Sequence, residues 1–402
     1  LHDWYQTQVG ALDPRARKPE FDEALMGELI RFVSSHEVGH TLGLRHNMGA
    51  SSATPVEKLR DKAWVEKHGH TSSIMDYARF NYVAQPEDHI GEAGIFPRVN
   101  DYDEWAIRWG YTYYPDAKSE LEERATLNRL TVATITDNPR LWFGGEGRDN
   151  NPYALTEDLS DDVMKASDYG LLNLRRVVKA LPEWTYEAGN LGDNLTRGYD
   201  AAVGQFRRYV GHVCRQIGGV KRVVKSVEQA GDVFSYDTRE RQQRALAWLD
   251  RRVLTEPTWI TAPAYGARIG MPQLRVRPVA ASAVDYLTSA TMFDRLATNA
   301  AQQPAAQAYS PATYADDLAR VLFRETLTGT KLSAWRMYVQ KRAVNNLLEA
   351  YKSDTNGDGH AYVAALLAKL RTRFDAARST DAGTRAHYTD LARRIRLALE
   401  GK

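Results

Sequence analysis

Apolar residues recur along this chain mainly at the period of a helix. From about Pro19 they fall three and four apart, at Leu25, Leu29 and Val33, and the stripe continues into His36 and His40. That spacing predicts an amphipathic helix with one buried face. Pro19 at a first-turn position, with Glu20, Asp22 and Glu23 near the positive end of the dipole, marks its start. Residues 1–18 read as polar and irregular, with a turn at Asp13-Pro14. A short helix is expected from Pro55 to His68. The aromatics Trp105, Trp109, Tyr111 and Tyr113 are expected to pack in a core. Between Leu127 and Pro152, Thr-Val-Ala-Thr-Ile-Thr followed by Gly144, Gly145 and Gly147 predicts one or two strands and a glycine-rich turn. From Asp161 onward the period is helical almost throughout, through Leu171, Leu174 and Val177 to the closing run Thr384–Leu399. No fixed repeat period of 20–50 residues is visible, so a solenoid is not supported. The fold class expected is mainly α (α+β), in three stretches: 1–118, a connecting segment 119–160 with short strands, and a larger helical accessory domain 161–402.

The first stripe carries chemistry. On a helix, His36 and His40 lie on one face and can direct ring nitrogens at a single point. Glu37 follows the first His and can reach a water on a metal without becoming a ligand, which makes it the candidate general base. Gly43 tolerates a positive φ, so it can end the helix and turn the chain. His46 then returns as a third ligand. Three histidines leave one tetrahedral position open, as in a catalytic zinc site. An HExxH string alone recurs as a salt-bridged surface stretch. With Gly43 and His46 the matched positions become improbable by chance, on the order of one in ten thousand for a chain of this length. His68 and His70 could add a metal contact, but the ligand set is already complete and they read as exposed loop residues.

The string His36–His46 resembles the long zinc-binding signature of the metzincin metalloproteases, HExxHxxGxxH. Ser72-Ser73-Ile74-Met75-Asp76-Tyr77 resembles their second signature, the Met-turn. The resemblance implies one catalytic Zn2+, Met75 as an apolar floor beneath it, and Tyr77 as a switch that contacts the metal or the reaction oxyanion. It also implies that residues 78–97 wall the pocket for the side chain after the scissile bond. The wording Leu44-Arg45-His46-Asn47-Met48-Gly49-Ala50-Ser51 and Asp101-Tyr102-Asp103-Glu104-Trp105-Ala106-Ile107 is similar to a family of large bacterial exported zinc-dependent metalloproteases. That likeness implies a peptide or protein substrate and a periplasmic or extracellular location. One departure stands out. Metzincin catalytic domains place a mixed sheet before the zinc helix, whereas only 35 residues precede His36. The zinc-binding part is therefore expected to lack most of that sheet, with a missing N-terminal part of a longer parent chain as its partner. A catalytically silent metal-binding or protein-interaction module of a larger exported protein is the competing reading, and a zinc hydrolase acting on a non-peptide amide is a third.

Composition narrows the remainder. The chain has 402 residues, 43% hydrophobic and 26% charged, which is ordinary for globular domains with full cores. A formal charge of +2 gives no support to nucleic-acid binding. The single cysteine, Cys214, excludes an internal disulfide. No apolar run approaches the ~18 residues of a membrane span. Asp354-Thr355-Asn356-Gly357-Asp358-Gly359 copies the first half of a calcium loop, but Ala365 stands where a bidentate acid is required. The segment reads as a polar inter-helix turn, with Ca2+ at Asp354, Asn356 and Asp358 as the alternative.

Overall fold

The computed structural model describes residues 1–147, 151–353 and 356–401. They form two compact units, Leu1–His212 with Val220–Ser235, and Val213–Gly219 with Tyr236–Lys402. The architecture is mainly α, as the periodicity predicts. The helices from the N-terminus through the first unit are α1 (His2–Val9), α2 (Glu23–Thr41), α3 (Lys62–His68), α4 (Glu92–Ile95), α5 (Asp101–Tyr111), α6 (Glu120–Asp137), α7 (Val163–Trp184) and α8 (Asp193–Cys214). Among the described residues the only sheet has two strands, β1 (Val220–Arg222) and β2 (Phe234–Tyr236). No strand precedes α2.

The zinc helix of the sequence reading is α2. It starts at Glu23 and not at Pro19, because the Asp22 side chain accepts the backbone N–H of Leu25 and fixes the first turn there. Its inner face carries Leu25, Leu29, Phe32 and His36, all buried. Phe32 meets the edge of Phe80 at 5.5 Å, and Phe80 in turn meets Tyr5 of α1 at 4.8 Å. The span expected as one helix from Pro55 to His68 is split into a 3-10 turn, Val56–Leu59, and α3, because Asp61 caps a new start by accepting the N–H of Trp64.

Several expectations are corrected. Residues 1–18 are not irregular: α1 buries Tyr5, Gln6, Thr7, Gln8 and Val9, and its buried polar groups are hydrogen-bonded, Gln6 to Ala16 O and Gln8 to Phe80 N. Among the described residues between 127 and 152 the expected strands are absent. Thr131–Thr136 is the last part of α6, whose start is set upstream by Ser119 accepting the N–H of Glu122, with Glu120, Glu122 and Glu123 in the first turn. The aromatic cluster is mostly on the surface. Trp105 is buried, but Trp109, Tyr111 and Tyr113 are 43%, 64% and 84% exposed. The polar ends of the first two are tied down, Trp109 Nε1 to Thr131 Oγ1 and Tyr111 OH to Leu42 O. The first unit also runs past residue 161, because Asn173 on α7 donates to the carbonyls of Tyr82 and Ala84 and stitches that helix to the segment behind the site.

The second unit is built from α9 (Arg239–Leu249), α10 (Thr258–Thr261), α11 (Pro263–Ile269), α12 (Pro272–Thr288), α13 (Ala290–Ala301), α14 (Pro311–Phe323), α15 (Glu325–Thr328), α16 (Ala334–Ser353), α17 (His360–Ala376) and α18 (Ala382–Leu399). Its core holds one buried polar network, in which Arg336 and Gln340 both donate to the Glu325 carboxylate and His387 meets Gln340 at 3.1 Å. In the calcium-like segment, Asp354 lies outside the described residues, while Asn356 and Asp358 are exposed. Among the described residues no helix is long and apolar enough to cross a membrane.

Candidate metal centre

Four stretches of the first unit build the site, and each is placed by local chemistry. The end of α2 is a Schellman turn. Gly43, at φ +83°, lets the N–H of Leu44 reach Gly39 O and its own N–H reach His40 O, at 3.0 Å each. The chain reverses there, and His46 comes back over the helix. Asn47 then fixes the returning strand of chain. Its N–H donates to Met75 O, its side-chain amide donates to Trp142 O at 3.1 Å, and its Oδ1 accepts the N–H of Gly144 at 2.7 Å. The glycines that read as a turn thus clamp the third histidine's neighbour.

The three imidazoles converge. One ring nitrogen from each of His36, His40 and His46 lies within 4.8 Å of the others, and these are the residues among those described that could hold a metal ion. His40 Nε2 and His46 Nε2 are 3.2 Å apart. Two of the rings have their other nitrogen committed. His36 Nδ1 donates to Ile74 O at 2.8 Å and His40 Nδ1 donates to Leu44 O at 2.9 Å. Such bonds set the tautomer and leave the Nε2 lone pair as the free donor. His36 Nε2 is buried with no hydrogen-bond partner. Burial lowers the pKa of His36 and of His46, and the neighbouring His40 adds to the effect on each. Both shifts favour the neutral ring, the form that ligates a metal.

The segment Ser72–Tyr77 packs against α2 beside this cluster. Met75 is fully buried, and its thioether fills the space that a Cβ on Gly39 would take, 2.3 Å from Sδ. Only glycine allows that approach. Asp103 at the start of α5 holds the turn, accepting from Ser73 Oγ at 2.6 Å, Ile74 N at 2.7 Å and Asn100 N at 2.9 Å. Burial pushes its carboxyl up to about 6, against the pull of those donors. Asp76 is also buried, with Oδ2 accepting from Ser51 N and Thr71 Oγ1, and burial pushes it up to about 8. The half-buried Tyr77 ring sits 5.1 Å from His36 and 4.7 Å from His46. Glu37 is exposed to solvent on α2.

The two other histidines lie apart from the cluster. His68 lies tilted against the Trp64 ring, 5.0 Å between centroids. His70 is not an exposed loop residue. It is fully buried, donates from Nε2 to Arg79 O at 3.2 Å, and is lowered to about 4 by burial. Sequence reasoning missed two supports of the site, Asn47 and Asp103. Only Asp103 left a signal, since Asn100 and Asp103 stand in capping-box positions at the start of α5. A family model described as Met-zincin matches residues 18–330 of this chain. No curated protein and no solved structure matches it.

Proposed function

As the chain belongs to the Met-zincin family, we propose that it is a zinc-dependent endopeptidase whose metal is held by His36, His40 and His46. The reading rests on one observation: three imidazole edges converge while two of the rings have their opposite nitrogens tied to backbone carbonyls. The buried, unpartnered Nε2 of His36 fits a ligand atom, since an orphaned buried acceptor is otherwise costly. Zinc, when bound, supplies Lewis acidity that polarises a carbonyl and brings the pKa of water to about 7. Glu37 takes a proton from the attacking water and delivers it to the leaving amine as the C–N bond breaks. Its exposure lets it meet both water and substrate. Tyr77, seated against His36 and His46, donates its phenol proton in a hydrogen bond to the carbonyl oxygen as negative charge develops there, an effect worth about 3 kcal/mol. Met75 packs beneath the cluster as its apolar floor. The polypeptide substrate and an exported location follow from the likeness to exported metalloproteases.

The second reading, a catalytically silent metal-binding or interaction module, draws on the long helical stretch α9–α18, where the described residues hold no further cluster of metal-ligating side chains. Glu37→Ala separates the two. It is expected to keep its zinc while losing cleavage of a peptide library by at least about a hundredfold. Unchanged cleavage rejects Glu37 as the base.

A further inference from the structure

We propose that Arg79 is a positioning residue, holding the Tyr77 ring against the histidine cluster by placing its guanidinium over that ring and over that of Trp4. The proposal rests on the reading of Tyr77 as the donor to the developing oxyanion. The guanidinium carbon lies over both rings, 4.7 Å from the Tyr77 ring centroid and 4.3 Å from that of Trp4 on α1, within cation–π range of each. Its backbone is unusual. Arg79 sits at φ +57°, a left-handed conformation that costs a residue with a Cβ about 1 kcal/mol. The surrounding structure enforces it, because buried His70 donates to Arg79 O and Phe80 N is taken by Gln8 of α1.

Arg79 also pairs loosely with the buried carboxylate of Glu157. Arg79 Nε stands 3.6 Å from Glu157 Oε1, beyond hydrogen-bond reach, while Arg208 Nε takes the closer pairing with Oε2 at 2.9 Å. Glu157 has a different connection to the site: its own backbone, at φ +64°, donates its N–H to Tyr77 O at 2.9 Å. Tyr77 is thus fixed at its carbonyl by Glu157 and at its ring face by Arg79. Both holds come from residues in left-handed backbone, and both are remote in sequence from the helix that carries His36. A cation fixed against the ring also favours negative charge on the oxygen that Tyr77 contacts. Arg79 touches no reacting atom. It acts through Tyr77.

The test uses the whole chain with Arg79→Met, Arg79→Lys, Tyr77→Phe and the double variant Arg79→Met/Tyr77→Phe. In the metal-free protein labelled with 3-fluorotyrosine, the Tyr77 resonance is identified by its loss in Tyr77→Phe. Arg79→Met is expected to shift and broaden that resonance as the ring is freed, and Arg79→Lys to move it part of the way. In the zinc-loaded protein, Arg79→Met should lower kcat about tenfold with KM within about twofold, and add less than about twofold in the Tyr77→Phe background. An unmoved Tyr77 resonance overturns the proposal whether or not the chain cleaves peptides. A tenfold loss that persists in the Tyr77→Phe background overturns it as well. Absence of Glu37-dependent cleavage in the unmutated protein contradicts the enzymatic reading alone, since the resonance still decides the role of Arg79. Should Arg79→Met fail to fold, the Arg79→Lys resonance carries the same decision.

Discussion

The two halves of the metal centre are held in different ways. His36, Glu37 and His40 ride on α2, where 3.6-residue geometry alone sets their spacing and a single side chain, Asp22, caps the first turn. His46, Met75 and Tyr77 sit in irregular chain, and their positions depend on partners from residues 103, 142, 144 and 157. A helix can lose one contact and keep its shape. An irregular turn buried beside a metal centre has no ladder to fall back on, so each lost partner leaves a backbone group unpaired. The non-local half should therefore be far more sensitive to substitution than the local half.

At a fixed pH near neutrality, the largest effect of a single substitution on stability is expected at Asp103. Asp103→Ala leaves the N–H groups of Ile74 and Asn100 and the Ser73 hydroxyl without their acceptor, which should cost roughly 3 kcal/mol or more in denaturant unfolding. A loss under about 1 kcal/mol would place the strength of the Met-turn elsewhere. Next comes a pH dependence from Asp76. Burial holds its carboxyl proton up to about 8 in the folded chain, whereas the unfolded side chain ionises near its ordinary value of 3.8. Between those values the folded state binds more protons, so this contribution is full below the lower pKa and fades as pH rises toward 8. The slope is on the order of 1 kcal/mol per pH unit. Asp76→Asn should flatten it across pH 5–8 in thermal unfolding, and equal slopes in both proteins would contradict the assignment. The smallest effect is expected on the local half. Asp22→Ala removes only the cap of α2 and should cost about 1 kcal/mol with zinc content unchanged.

The same contrast explains what could be read from sequence. The apolar stripe on α2 and the ligand spacing share one period, so the helix and its two histidines were legible together, and Gly43 announced the turn that returns His46. α1 was not legible because its buried face is largely polar: Gln6, Thr7 and Gln8 are buried through hydrogen bonds and not through hydrophobicity. α6 has no buried residue at all, so it offers no stripe, and its β-branched tail reads as strand. Its one helical cue was Ser119 three residues ahead of Glu122. The exposed Trp109 and Tyr111 read as core because size and apolarity say nothing of a polar tip hydrogen-bonded at the surface. Asn47 and Arg79 have partners distant in sequence, and no period connects them.

The most direct test is zinc stoichiometry, by elemental analysis, of the purified chain and of its His46→Ala variant after dialysis against metal-free buffer. One zinc per chain is expected in the first and almost none in the second, because two imidazoles on one helix are too few to retain the ion. A metal-free parent chain, or a variant that still holds a full equivalent, would contradict a site built from three histidines.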